Sequence, residues 1–254
     1  FSSIHPAAAM NGAERAMAAR ILAALDLTSL GEDDTPEAIE RLCAAATAGG
    51  HPAAVCVYPE HIATARRTLE LERASEVAVA AVVNFPDGSN DISRALRETR
   101  RALAARADEI DIVFPWRAYL GGDREGGALM LQECKSICGR KILKAILETG
   151  ELGDPLLIRE ISFAALGAGA DFIKTSTGKA KIGATPAAAR TMLECIRESG
   201  GRAGFKAAGG VRTLIDAGRY LALADEILGA GWATPARFRI GASVLLAELR
   251  AVLA

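Results

Sequence analysis

Net charge is almost absent from this chain: 30 Lys and Arg residues stand against 31 Asp and Glu, a formal balance of -1. A surface without a field of one sign gives little attraction to nucleic acid or to an anionic membrane. The expected partner is therefore a small molecule, with no nucleic acid and no membrane. Histidine is equally scarce. His5, His51 and His61 are the whole complement, and two of them fall near expected helix or loop starts, so the ligand cluster of a metal-dependent enzyme is missing. Neither a metal nor another cofactor is expected.

Cysteine is present but unpaired in number. Cys43, Cys56, Cys134, Cys138 and Cys195 make an odd set without histidines at zinc-site spacing, and they read as reduced thiols of a cytosolic, hence cytoplasmic, protein. No window offers the run of about 18 apolar residues that a membrane span requires; the alanine-rich start, residues 7–24, is broken by Glu14, Arg15 and Arg20 and reads as a short N-terminal helical extension. The sequence begins at Phe1 rather than Met, which leaves its native start open. A G-x-G-x-x-G turn is lacking as well, since the first apolar run leads into Asp26-Leu27-Thr28-Ser29-Leu30-Gly31, and this disfavours a dinucleotide fold.

What the chain does have is alternation. Short apolar or β-branched runs near 21–27, 53–58, 77–84, 109–114, 141–147, 171–175, 203–207 and 237–241 are separated by segments of helical period. The segment from Asp91 sets Ile92, Ala95, Leu96, Thr99 and Leu103 on one stripe, with Arg94, Arg97, Glu98 and Arg101 elsewhere, the pattern of a helix laid on a sheet. Thr35-Pro36, Asp154-Pro155, Thr185-Pro186 and Thr234-Pro235 each set a capping oxygen before a proline suited to the first helical turn. Eight strand-helix repeats imply a parallel sheet covered by helices and able to close on itself. With 254 residues, against roughly 250 for such folds, the expectation is an α/β chain folded as one (β/α)8 barrel domain, residues 1–254; an open doubly wound sheet is the structural alternative.

In a barrel, chemistry sits at the C-terminal ends of the strands, so the polar residues inside apolar strands become the candidates. The sixth run places Lys174 directly after Asp171-Phe172-Ile173, and the seventh repeats the pattern at Gly204-Phe205-Lys206. The fourth carries Asp111 between Ile110 and Ile112, on the opposite face from both, which in a closed barrel is the lumen. The fifth adds Lys144 and ends at Glu148. Buried ion pairs without chemistry would account for such residues, but two lysines on neighbouring strands favour a reaction. A lysine attacks a carbonyl only as the free amine, and from a reference pKa of about 10.4 it needs burial or a nearby cation to be neutral near pH 7. Lys206 beside Lys174 supplies that cation. The iminium then acts as an electron sink for carbon-carbon cleavage, with Asp111 working through water in proton transfer, which is class I (Schiff-base) aldolase chemistry. Gly209-Gly210 after the seventh strand and Gly241-Ala242-Ser243 after the eighth offer backbone N–H groups to a phosphate, although each alone reads equally as a tight turn.

At these residues the sequence resembles the deoxyribose-phosphate aldolase family, through ALDLTSL at 24–30, AAVCVYP at 53–59, VVNFPDG at 82–88, DEIDIVFP at 108–115, ILKAILETGEL at 142–152, DFIKTSTGK at 171–179 and GFKAAGGVRT at 204–213. The resemblance runs over nearly the whole chain and keeps the family's order. It implies reversible cleavage of 2-deoxy-D-ribose 5-phosphate to D-glyceraldehyde 3-phosphate and acetaldehyde, with Lys174 as the Schiff-base lysine, Lys206 as its activating lysine and Asp111 as the proton relay. It further implies phosphate binding by Thr177, Gly178, Lys179, Gly209, Gly210 and Ser243, a pocket lined by Asp26, Cys56 and Lys144, and a homodimer. Ala207 stands where the family has proline, and Val244 where it has a second serine. Some members use a C-terminal tyrosine, whereas the last tyrosine here is Tyr220, which leaves either a longer tail or Asp111 with water. Two rival readings remain: another lysine aldolase or transaldolase with a different phosphosugar, and a non-catalytic phosphosugar sensor, which has no need of paired lysines.

Overall fold

Every expected strand forms, and the sheet closes. A computed structural model describes residues 6–254, so His5 lies outside the described residues. The strands are β1 (Leu25–Thr28), β2 (Ala54–Val57), β3 (Ala78–Val83), β4 (Glu109–Val113), β5 (Ile142–Ile146), β6 (Phe172–Lys174), β7 (Gly204–Ala208) and β8 (Phe238–Ala242). All neighbours pair in parallel in chain order, and β8 returns to β1 through Leu25 opposite Ile240. This is a (β/α)8 barrel. Its strands are buried on both faces because helices wrap the outside and side chains fill the lumen.

The helices are α1 (Pro6–Ala23), α2 (Pro36–Thr47), α3 (Ile62–Leu71), α4 (Ile92–Ala104), α5 (Trp116–Leu120), α6 (Gly126–Cys138), α7 (Thr149–Leu152), α8 (Pro155–Gly167), α9 (Pro186–Glu198), α10 (Leu214–Leu228) and α11 (Leu245–Leu253). Three of the four threonine- or aspartate-proline junctions cap helices as their chemistry dictates: Thr35 accepts from Ala38 N–H at 3.2 Å, Asp154 from Leu156 N–H at 2.8 Å and Thr185 from Ala188 N–H at 3.2 Å. The fourth does not. Thr234-Pro235 opens a turn whose carbonyl accepts from Arg237 and Phe238, because β8 begins three residues after the proline and leaves no length for a helix. In α4 the stripe behaves as its period demands: Asp91 caps it, and Ala95 and Thr99 are buried.

The first strand starts later than its apolar run suggests. Ile21 and Leu22 belong to α1, and only Leu25–Thr28 is extended. The N-terminal helical extension packs on α10 and α11, where Arg20 holds Asp225 of α10 through two hydrogen bonds of 2.7 and 2.8 Å.

Register decides what enters the lumen. On β6 and β7, Phe172 lies opposite Gly204 and Lys174 opposite Lys206, so the two lysines share a face with Phe172. The glycine is required by the ring: a Cβ at position 204 would lie 2.4 Å from Cε1 of Phe172. The substitution Gly204→Ala is expected to destabilise the protein by about 1–3 kcal/mol through overpacking, read as a lowered urea midpoint at unchanged slope; an unchanged midpoint would mean that the ring moves aside freely.

Candidate active site

Seven charged side chains meet in the lumen. They come from β1 (Asp26), β4 (Glu109 and Asp111), β5 (Lys144), β6 (Lys174), β7 (Lys206) and β8 (Arg239), and none is more than 5 % exposed. The alternation of a strand explains the gathering: residues two apart point to the same face, so Glu109 and Asp111 both project inward from β4. Lys174 Nζ donates to Asp111 Oδ2 at 2.9 Å. Lys206 Nζ donates to the same oxygen at 2.8 Å and to Asp26 Oδ2 at 2.5 Å. Lys144 Nζ lies 2.8 Å from Asp111 Oδ1, 2.5 Å from Glu109 and 3.3 Å from Asp26. Arg239 closes the set with 2.7 Å contacts to both Asp26 and Glu109.

These contacts separate the lysines. Burial alone would raise the Asp111 carboxyl, but Lys144, Lys174 and Lys206 outweigh it and hold the group well below the usual carboxylate range. Asp26 is lowered in the same way by Lys144, Lys206 and Arg239. For Lys206 and Lys144 burial works to strip the proton, yet two and three carboxylates respectively push the ammonium pKa upward. Lys174 goes the other way. Desolvation lowers it, Asp111 and more weakly Cys56 oppose, and the Lys206 charge lowers it further. The site thus holds two lysines as cations and predisposes the third to be a neutral amine.

A cavity of about 650 Å³ opens above the cluster, lined by Lys174, by Thr28, Ser29 and Leu30 after β1, by Thr177, Gly178 and Lys179 after β6, by Gly209, Gly210 and Arg212 after β7, and by Ser243 and Val244 after β8. Lys174 is the member of the charged cluster that reaches this wall. Asp26, Cys56 and Lys144, expected to line the pocket, are fully buried and are not part of this cavity's wall. Cys56 is a free thiol whose pKa burial pushes up.

The far end of the cavity is made of backbone. Gly178, Gly209 and Gly210 have φ of +81°, +86° and +84°, a region that favours glycine. The N–H groups of Gly210 and Ser243 have no backbone acceptor among the described residues, and Gly209 directly follows the last ladder pair, Ala208 with Gly241. Gly209, Gly183 and Gly178 touch backbone to backbone: a Cβ on Gly209 would lie 3.0 Å from Gly183 Cα and 3.3 Å from Gly178 Cα. Thr177 is placed differently from the expectation for an anion ligand, because its hydroxyl and its N–H both donate to Glu148, at 2.6 and 3.2 Å. Glu148 is itself buried and raised by desolvation. Lys179 reaches across the mouth to Leu30 O at 2.6 Å. Ala207 is buried and alternates out of the lumen, whereas Val244 is 60 % exposed at the rim and caps α11 without a side-chain hydrogen bond.

Three residues escaped the sequence reading. Glu109 was detectable, since it shares the Asp111 face by the same period of two. Arg239 carried a weaker signal, lying between Phe238 and Ile240 but near Arg237. Arg212, exposed at the rim, follows the glycine pair by two positions.

The site thus sets a buried lysine at the base of the C-terminal mouth of a closed parallel barrel, with a backbone cradle beside it. A sequence model of the DeoC/LacD family aldolases matches residues 20–250. Solved structures agree. A Toxoplasma gondii ME49 protein provisionally named deoxyribose-phosphate aldolase superposes with a TM-score of 0.88 at 26% identity, over 96% of each chain. A similarly named protein of Coccidioides immitis gives 0.79 at 26%, covering 98% of this chain and 100% of that one. The deoxyribose phosphate aldolase of Aeropyrum pernix, described as a tetramer, gives 0.73 at 25%, covering 94% and 92%. The chain belongs to the DeoC/LacD family of aldolases.

The network also sets a stability expectation. Because the folded pKa of Asp26 is depressed, its stabilisation is present above the unfolded value near 3.9 and is lost as pH falls toward the folded value. Asp26→Asn should cost about 3 kcal/mol at pH 7, and the deficit against wild type should shrink below about pH 4, as measured by denaturant unfolding across pH. A deficit that does not change with pH would show that Asp26 acts by shape and not by charge.

Proposed function

We propose that this protein is a class I aldolase that reversibly cleaves 2-deoxy-D-ribose 5-phosphate to D-glyceraldehyde 3-phosphate and acetaldehyde, with Lys174 forming the Schiff base. The carrying observation is that Lys174, of the three buried lysines, reaches the cavity and faces one carboxylate instead of two or three. As a neutral amine it attacks the substrate aldehyde at C1, and loss of water from the carbinolamine leaves an iminium. Removal of the C3 hydroxyl proton then breaks the C2–C3 bond. The electron pair passes to the iminium as an enamine, and C3 leaves as the aldehyde carbon of the triose phosphate. Protonation at C2 and hydrolysis release acetaldehyde and restore the amine.

Lys206 and Asp111 serve the proton transfers. Asp111 is held too firmly as an anion to store a proton for long, so its part is to orient a water as acceptor while Lys206, bonded to the same oxygen, holds the proton donor in line. The phosphate is assigned to the glycine cradle: the backbone of Gly209, Gly210 and Ser243, with Gly178, and the charges of Lys179 and Arg212 at the rim. Thr177 supports that loop through Glu148 and does not itself reach for the anion. Val244 supplies no hydroxyl at the rim, so the backbone and the two cations carry the anion. A single catalytic domain over residues 1–254, assembly as a homodimer and a cytoplasmic location belong to the same proposal: the domain rests on chain length and the eight strand-helix repeats, the location on the unpaired thiols, and the dimer on the family resemblance.

The test is borohydride reduction of the protein with acetaldehyde. One ethyl adduct of about 28 Da, as iminium chemistry requires, should map to Lys174, and Lys174→Ala should lose the adduct together with cleavage of deoxyribose 5-phosphate. An adduct on no lysine would overturn the mechanism. An adduct on Lys174 without cleavage of this sugar would keep the mechanism and change the substrate.

A further inference from the structure

The buried cluster has an unequal charge count. Lys144, Lys174, Lys206 and Arg239 face Asp26, Glu109 and Asp111, four cations against three anions. An uncompensated charge among buried side chains is costly, and shedding one proton, from the member that borders the cavity, removes it. Arg239 cannot supply that proton, because a guanidinium stays charged in proteins. Among the lysines the contacts are graded: Lys144 has three carboxylates within 3.3 Å, Lys206 has two within 2.8 Å, and Lys174 has Asp111 alone at 2.9 Å.

Glu109 and Arg239 lie on the side of the cluster away from the cavity. Their guanidinium and carboxylate are joined by two hydrogen bonds, at 2.7 and 3.0 Å, and neither lines the mouth. They touch the network through shared partners, Glu109 through Lys144 and Arg239 through Asp26. We propose that Glu109 and Arg239 are positioning residues of the site: from behind the cluster each biases the Lys174 ammonium with opposite sign, and their pairing cancels the two, so that neither a buried carboxylate nor a buried guanidinium is left to set Lys174 alone. This rests on the Schiff-base reading for its purpose, but the charge count stands on geometry alone. The groups that bear on Lys174 are Asp111 from β4, Lys206 from β7, Cys56 from β2 and Glu148 after β5, with Lys144 and Asp26 behind them.

The sign follows from the count. Removing Glu109 leaves two excess positive charges and should make Lys174 lose its proton more easily. Removing Arg239 leaves none, and Lys174 should hold its proton. Removing both restores one excess charge. Titrating Lys174 through ¹³Cε-labelled lysine, in the absence of substrate, reads this directly in wild type, Glu109→Gln, Arg239→Met and the double variant, with borohydride trapping of acetaldehyde measured in parallel. The Lys174 midpoint is expected to fall by about one pH unit in Glu109→Gln and to rise by a similar amount in Arg239→Met, and the double variant should return to the wild-type position. A loss of packing alone would move both single variants the same way, or neither, and would leave the double variant displaced; either result overturns the proposal. Should Arg239→Met fail to fold, the reversal of the Glu109→Gln shift in the double variant decides the matter. If the titrations shift as expected while wild type forms no adduct, the charge count stands and the Schiff-base reading falls. If the adduct forms while the midpoints do not move, the reverse holds.

Discussion

Closure of the barrel forces seven charged side chains to share one small buried volume, and the consequences run through the rest of the molecule. A lysine stem on each of β5, β6 and β7 has nowhere to go but inward, and its ammonium must find oxygen there. The carboxylates of β1 and β4 provide it, so the strands are tied across the lumen as well as along the ladder. The arrangement ranks the amines, since partners are not evenly shared. The same contacts that hold the barrel's interior together therefore leave Lys174 with fewer carboxylate partners than Lys144 or Lys206.

The positions around this network are constrained by space as much as by charge. Gly204 leaves room for the Phe172 ring, and a Cβ on Gly241 would lie 3.0 Å from Lys206 Cε. Arg239 sets its guanidinium over Phe172 with the centroid 5.6 Å away. Rings and stems of this size fit only because glycines sit opposite them. Above Lys174 the packing gives way to the cavity, and the transition from filled lumen to open mouth falls at the level of that one residue.

Much of this was legible in the chain. Eight apolar runs gave eight strands because a strand buried on both faces has to be apolar, and the lysines and Asp111 stood out because they interrupt such runs. Glu109 was passed over although it obeys the same alternation as Asp111, and Arg239 because a neighbouring arginine made it resemble surface. Ile21 and Leu22 continued an apolar run that the backbone divides between helix and strand, which local composition does not mark. Thr234-Pro235 carried a sound capping signal, but tertiary spacing overrode it. The engagement of Thr177 by Glu148 depends on two loops meeting in space, and no spacing along the chain records that.

The contact between Gly178, Gly183 and Gly209 joins the loops after β6 and β7 main chain to main chain, with nothing interposed. A joint of this kind has no side chains to exchange. Its dimensions are those of the peptide itself, so they do not depend on which side chains stand around it. The mouth behaves as a casting rather than an assembly: the separation of the two loops that flank Lys174 is set by the absence of three methyl groups, and a side chain changed elsewhere on the rim need not reset it.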